Sequence, residues 1–98
     1  MTSFTVRVEL HDAKEKDYTN LHTAMEDEGF VRWVVASDNS KKRLPTAEYN
    51  MADVSMTRSE VLKRAESAAN SVKSSPTPWI IVTESAGRRW SGLKSWRG

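Results

Sequence analysis

Cysteine is absent from the sequence, glycine occurs four times, proline three times and histidine twice in 98 residues. Without cysteine there is no disulfide scaffold, no thiolate metal centre and no thiol nucleophile. So few glycines leave no room for a glycine-rich phosphate loop. Neither a His-Glu-x-x-His zinc motif, a nucleophile elbow nor an acidic calcium loop is present. No apolar run approaches the roughly 20 residues of a membrane-spanning helix. The opening Met1-Thr2-Ser3-Phe4 lacks the charged-then-apolar order of a secretory signal. A cytoplasmic location is therefore expected, with no membrane and no small-molecule cofactor as partner.

What is present is a balanced composition, 38% hydrophobic and 29% charged, which fits one folded domain over residues 1–98. The charge is unevenly placed. Residues 1–84 hold 11 Lys/Arg against 13 Asp/Glu, whereas residues 85–98 hold Arg88, Arg89, Lys94 and Arg97 with no acid. The second stretch is a basic, Trp- and Arg-containing extension. It suits either a polyanion partner or a solvated tail.

Hydrophobic periodicity predicts the elements. Phe4, Val6, Val8 and Leu10 alternate with Thr5, Arg7 and Glu9, as in a half-buried strand. Asp12 and Glu15 have capping-box spacing, so a helix is predicted from there to about Glu28, burying Tyr18, Leu21 and Met25 and ending at Gly29. Residues 30–35 are rich in β-branched and aromatic side chains and read as a second strand. A polar loop ending in Lys41-Lys42-Arg43 follows. A third strand is predicted over residues 46–51, so that strands two and three form a hairpin with a basic tip. Thr57 and Glu60 form a second capping box opening a helix over about 58–73, with Val61, Leu62, Ala65, Ala68, Ala69 and Val72 at helical spacing. Trp79–Thr83 is a continuous apolar run, expected as a strand flanked on both edges. Residues 89–93 read as a short fifth strand. The order β-α-β-β-α-β defines an α+β, ferredoxin-like sandwich with two helices on one face of an antiparallel sheet.

Candidate functional residues fall in three places. His11 and Asp12 stand where the first strand meets the first helix. His11 offers a group able to exchange a proton near neutral pH, and Asp12 either orients it or merely caps the helix. His22, beside Leu21 on the first helix, is a second acid–base candidate or a ring packed at the core boundary. Lys41, Lys42 and Arg43, with Arg88, Arg89 and Trp90, suit a nucleic-acid backbone and its bases: cations pair with phosphates, and an indole stacks on a base. A solvated loop and a protein interface are the competing readings of these two basic segments.

Three segments carry a family resemblance: Arg7–Ala13, Leu44–Tyr49 and Val82–Leu93. They resemble the small bacterial proteins of unknown function grouped with the endoribonuclease antitoxin GhoS, of type V toxin–antitoxin pairs, over nearly the full length. The resemblance implies a ferredoxin-like fold, binding of single-stranded RNA and cleavage of a toxin messenger. When the first helix is aligned on Tyr18, Leu21, Met25 and Phe30, His22 falls where the antitoxin carries an arginine linked to activity. Asp12 lies near the end of the first strand, where related nucleases of this fold carry an aspartate. Two chemistries stay open: proton transfer by His22 or His11 without metal, or a magnesium ion gathered by Glu9 and Asp12. A non-catalytic module is the alternative. Its open sheet face and fifth strand would offer an interface to RNA, to another protein or to a second copy of the chain.

Overall fold

The computed structural model describes residues 1–97; Gly98, the last residue of the expected extension, lies outside them. The elements run β1 (Thr2–Glu9), α1 (Glu15–Asp27), β2 (Trp33–Val35), β3 (Lys41–Arg43), β4 (Glu48–Val54), α2 (Arg58–Val72) and β5 (Trp79–Ser85). The fold is α+β. An antiparallel sheet has the order β4-β1-β5, and β2 with β3 forms a separate two-stranded arm.

The alternation in β1 sorts its side chains as expected. Phe4, Val6 and Val8 are fully buried and Leu10 nearly so. In register with them, Met51 and Tyr49 of β4 lie on the same face, as do Val82 and Ile80 of β5. Leu21 and Met25 of α1 and Val61, Ala65, Ala68 and Ala69 of α2 complete this core. Thr5, Arg7 and Glu9 pair across the opposite face with Asn50 and Glu48 on one side, and with Thr83, Ile81 and Trp79 on the other.

Both helices form, but α1 starts later than its sequence signal. Asp12 is exposed, at φ 52°, and caps nothing. The Tyr18 hydroxyl accepts from the Leu10 N–H at 3.0 Å and donates to the Leu10 carbonyl at 3.3 Å, which holds the chain in a turn after β1. The helix then opens at Lys14, whose N–H donates to the Asp17 carboxylate at 2.9 Å. At the other end Gly29 takes φ 94°, and Gly29 and Phe30 N–H groups bond back to Glu26 and Met25 carbonyls at 3.0 Å. This Schellman closure needs the left-handed glycine and buries Phe30 against Met25. In α2 the Thr57–Glu60 box closes in both directions, at 3.2 and 2.9 Å.

Three strand expectations are corrected. Lys41–Arg43 is not a hairpin tip: it is β3, paired through Trp33↔Arg43, Val34↔Lys42 and Val35↔Lys41. The loop is the tight turn Ala36–Ser40, closed by a 2.8 Å bond between the Ala36 N–H and the Ser40 carbonyl, with Asn39 left-handed. The third expected strand starts at Glu48, because Ala47 sits at φ 76° in the turn before it; it pairs along β1, and of the expected hairpin with residues 30–35 it keeps only the Val31↔Asn50 bridge. Finally, β5 is flanked by β1 alone, and residues 89–93 form no strand. After β5 the chain leaves the sheet edge and crosses to the arm instead.

Candidate nucleic-acid interface

Asn50 is the point from which this part of the molecule is built. Asparagine is disfavoured in strands, yet this one is buried in the middle of β4 and every polar group it has is used. Its backbone N–H donates to the Val31 carbonyl at 2.7 Å, and its carbonyl accepts from the Val31 N–H at 2.8 Å. This couples the root of the arm to β4. Its side-chain amide donates to the Trp33 carbonyl at 3.1 Å, and its Oδ1 accepts from Arg88 at 2.8 Å.

Arg88 therefore crosses the outer face of the sheet. Its guanidinium also donates to the Thr5 hydroxyl and the Phe4 carbonyl, both at 3.0 Å. Burial lowers its pKa from the usual arginine value. A guanidinium so occupied holds the C-terminal segment to the sheet. Arg89 and Trp90 follow, both exposed, along a groove of about 840 Å³ that Ser3, Val35, Ser37 and Ser85 also line.

Beyond them the segment pairs along the free side of β3. Ser95 bridges Lys42, the Arg43 N–H donates to the Lys94 carbonyl at 2.7 Å, and the Trp96 N–H donates to the Lys41 carbonyl at 3.1 Å. The Trp96 ring tilts against Trp33 with centroids 5.0 Å apart. Arg32 stands 5.8 Å over Trp96, and the Lys41 ammonium 4.4 Å over Trp33, both within cation–π range. The two basic runs singled out from the sequence are thus one continuous surface. Residues 31–44 and 85–97 hold eight Lys/Arg and one acid, Asp38; the other residues hold seven Lys/Arg and twelve acids. Asp38 is itself engaged, accepting from the Ser40 N–H and hydroxyl, which lowers its pKa.

His22 borders this surface. Its Nδ1 lies 2.7 Å from the hydroxyl of fully buried Tyr49. Burial, then the nearby Arg32 cation, pulls the His22 pKa down to about 4, while burial raises that of Tyr49. His22 is therefore neutral at pH 7, and in its Nε2–H tautomer the Tyr49 hydroxyl donates to Nδ1. Arg32 itself has a buried Nε with no partner. His11 is elsewhere. Its ring meets Trp79 edge-on at 4.4 Å, beside β5. The histidines thus lie on opposite flanks of β1 and form no joint acid–base pair. Asp12 stays in the exposed turn beside His11. Among the described residues no three His, Asp or Glu side chains gather to share a cation.

Lys94 and Trp96 belong to the basic, aromatic extension that the sequence already marks, whereas Arg32 and Trp33 lie outside the marked segments. Arg32-Trp33 repeats the basic–aromatic pairing of Arg89-Trp90, a signal that its place inside an apolar strand run hides. Asn50 and Tyr49 carried no such signal, since only the register shows what they meet. Among the described residues no helix is long and apolar enough to cross a membrane. Comparison with protein-family models, curated proteins and solved structures finds no match to this chain.

Proposed function

We propose that this protein is a ferredoxin-like module that binds single-stranded RNA along the arm and the C-terminal segment. The pairing of residues 94–96 along β3 carries the reading, because it sets Lys94 beside Lys41, Lys42 and Arg43 and brings the Trp96 ring onto Trp33, under Arg32. The crossover order supports the fold: β4 and β5 flank β1 antiparallel, each following a helix or hairpin excursion, and Val31 continues the sheet beyond β4. Lys42, Arg43, Arg89, Lys94 and Arg97 would meet phosphates, while the exposed Trp90 offers a ring face for a base. The messenger of a toxin is the target that the resemblance to the antitoxin group suggests.

The test is fluorescence anisotropy with a labelled RNA 12-mer over a salt series. The expected result is association that weakens as salt rises, and a Lys41→Gln/Lys42→Gln/Arg43→Gln variant about tenfold to a hundredfold weaker, with a shallower salt slope. No association even at low salt would remove the reading.

Cleavage is the second reading, favoured by one observation: His22 shares Arg32 with the basic surface. As it stands His22 is a weak base. A phosphate seated on Arg32 would offset that cation, and in the Nδ1–H tautomer, which donates to the Tyr49 hydroxyl, the free Nε2 would take a ribose hydroxyl proton. Incubation of mixed RNA with and without chelator, beside a His22→Asn variant, tests it. Products lost only in the variant support it, and equal lanes leave a binder.

A further inference from the structure

The free edge of β5 is the place where this molecule is unfinished. Trp79 and Ile81 are 67% and 62% exposed, and with Met1 are the most exposed large hydrophobics among the described residues. Residues 79–83 read Trp-Ile-Ile-Val-Thr, with no charge, proline or glycine. Isolated proteins blunt such edges with lysine, proline, a bulge or a covering segment. The opposite flank has both devices: β3 is three consecutive cations, covered by residues 94–96. With the C-terminal segment committed there, it is not free to cover β5. The edge is also held in shape, for β5 pairs with β1 over all seven residues and the His11 ring sets the edge of Trp79.

We propose that a second copy of the chain covers this edge, β5 pairing antiparallel with β5 about a two-fold axis at Ile81. The register follows from the sequence. Centred on Ile81, Trp79 faces Thr83 of the other copy and Ile80 faces Val82, so residues 79–83 pair with no charge on either face, and Glu84 falls opposite Pro78 just past the end of that ladder. Centred one residue later, on Val82, Ile80 meets the Glu84 carboxylate, and centred one residue earlier Pro78 enters the ladder without an N–H to give. Charge agrees with the two-fold. The basic surface lies on the far flank, beyond β4, so the two copies join by neutral strands and carry their cations outward. An RNA backbone has nothing to pair with on this edge. The interface stands apart from the RNA reading, and either can fail without the other.

The absence of cysteine makes the test clean. The full chain at about 10–500 μM, a range suited to micromolar association, is examined by sedimentation equilibrium. The expected species has twice the 11.1 kDa chain mass. Ile81→Lys, at an exposed site, should keep the circular dichroism spectrum and dissociate at least about tenfold more readily, since like charges then face each other. Under copper phenanthroline, Ile81→Cys should form a disulfide-linked dimer, because directly opposed strand residues lie within disulfide reach. Thr23→Cys, on the exposed side of α1, should not. A wild-type chain that stays monomeric throughout overturns the proposal and leaves the edge for an extended segment of another protein. A dimer that survives Ile81→Lys and gives no Ile81→Cys cross-link overturns its placement.

Discussion

On one flank of the sheet, β3 carries Lys41, Lys42 and Arg43, is paired by residues 94–96, and is tied back to the core through Arg88 and Asn50. On the other flank, β5 carries Trp79 and Ile81 into solvent, with no strand beyond it among the described residues. The flanks differ in what holds them. The basic flank has few buried apolar side chains of its own, chiefly Val34 and Leu44, and depends on directed hydrogen bonds and ring contacts. The apolar flank is anchored from beneath by Ile80 and Val82 on the core, so its outer face contributes little to the monomer. A surface built on polar ties is specific but brittle; one built on packing tolerates change outside and is available for association.

The sharpest way to break this contrast is to cut the polar tie. Asn50→Ala removes two side-chain hydrogen bonds and leaves the Arg88 guanidinium and the Trp33 carbonyl short of partners. A destabilisation of about 3 kcal/mol is expected in urea unfolding, since one lost bond is to a charged group, left with only Thr5 and Phe4, and the other leaves the Trp33 carbonyl unpaired. Arg88→Met should cost a comparable amount. The double variant should cost clearly less than the sum, because both substitutions sever one network. Additive losses would mean that the two residues act independently.

Next in size is the pH response at the root of the arm. His22 titrates at about 4 in the folded chain against an ordinary value of 6.5. The unfolded chain therefore takes up the proton first as pH falls. The stability this neutral ring contributes is present in full above about pH 6.5 and is lost as pH drops toward 4. After allowance for solvent screening at a partly exposed ring, about 2 kcal/mol is at stake. Thermal unfolding of the wild type should lose stability from pH 6.5 downward more steeply than that of His22→Asn. Parallel curves would show that burial and Arg32 do not depress this histidine.

These two sites also mark where the sequence stops being informative. The alternation in β1, the Thr57–Glu60 box and the glycine after α1 are local signals, and each produced its element. The start of α1 was misplaced because the Tyr18 hydroxyl, eight residues away, holds the turn that Asp12 would have capped. Lys41–Arg43 carries nothing that marks a strand, since three cations have no apolar face; pairing on both sides makes it one. Basic and aromatic residues could be picked out as types, but not their division of labour. Arg88 and Arg89 are neighbours with the same side chain. One is spent across the sheet on Thr5, Phe4 and Asn50, and the other stays exposed beside Trp90. Only the register of β1 against β4 decides that. His22 and Tyr49, 27 residues apart, are a pair for the same reason.

Smallest in free energy, but most telling for the comparison, is Trp96→Ala. The ring packs on Trp33 and beneath Arg32 without being fully buried. Its removal should cost about 1–2 kcal/mol of stability, the size of one aromatic pair with a cation–π contact. The greater effect should be local. With the Trp33 contact gone, residues 94–96 have only their backbone bonds to β3, and the amides of Arg43 and Trp96 should exchange hydrogen faster while those of β5 do not change. RNA affinity should fall with them, although no charge has been removed, because the cations of the C-terminal segment are no longer held beside those of β3. Slower binding loss than amide exposure would mean that phosphates themselves keep the segment in place. Equal protection in variant and wild type would show that Arg88, not the indole pair, is what closes this flank.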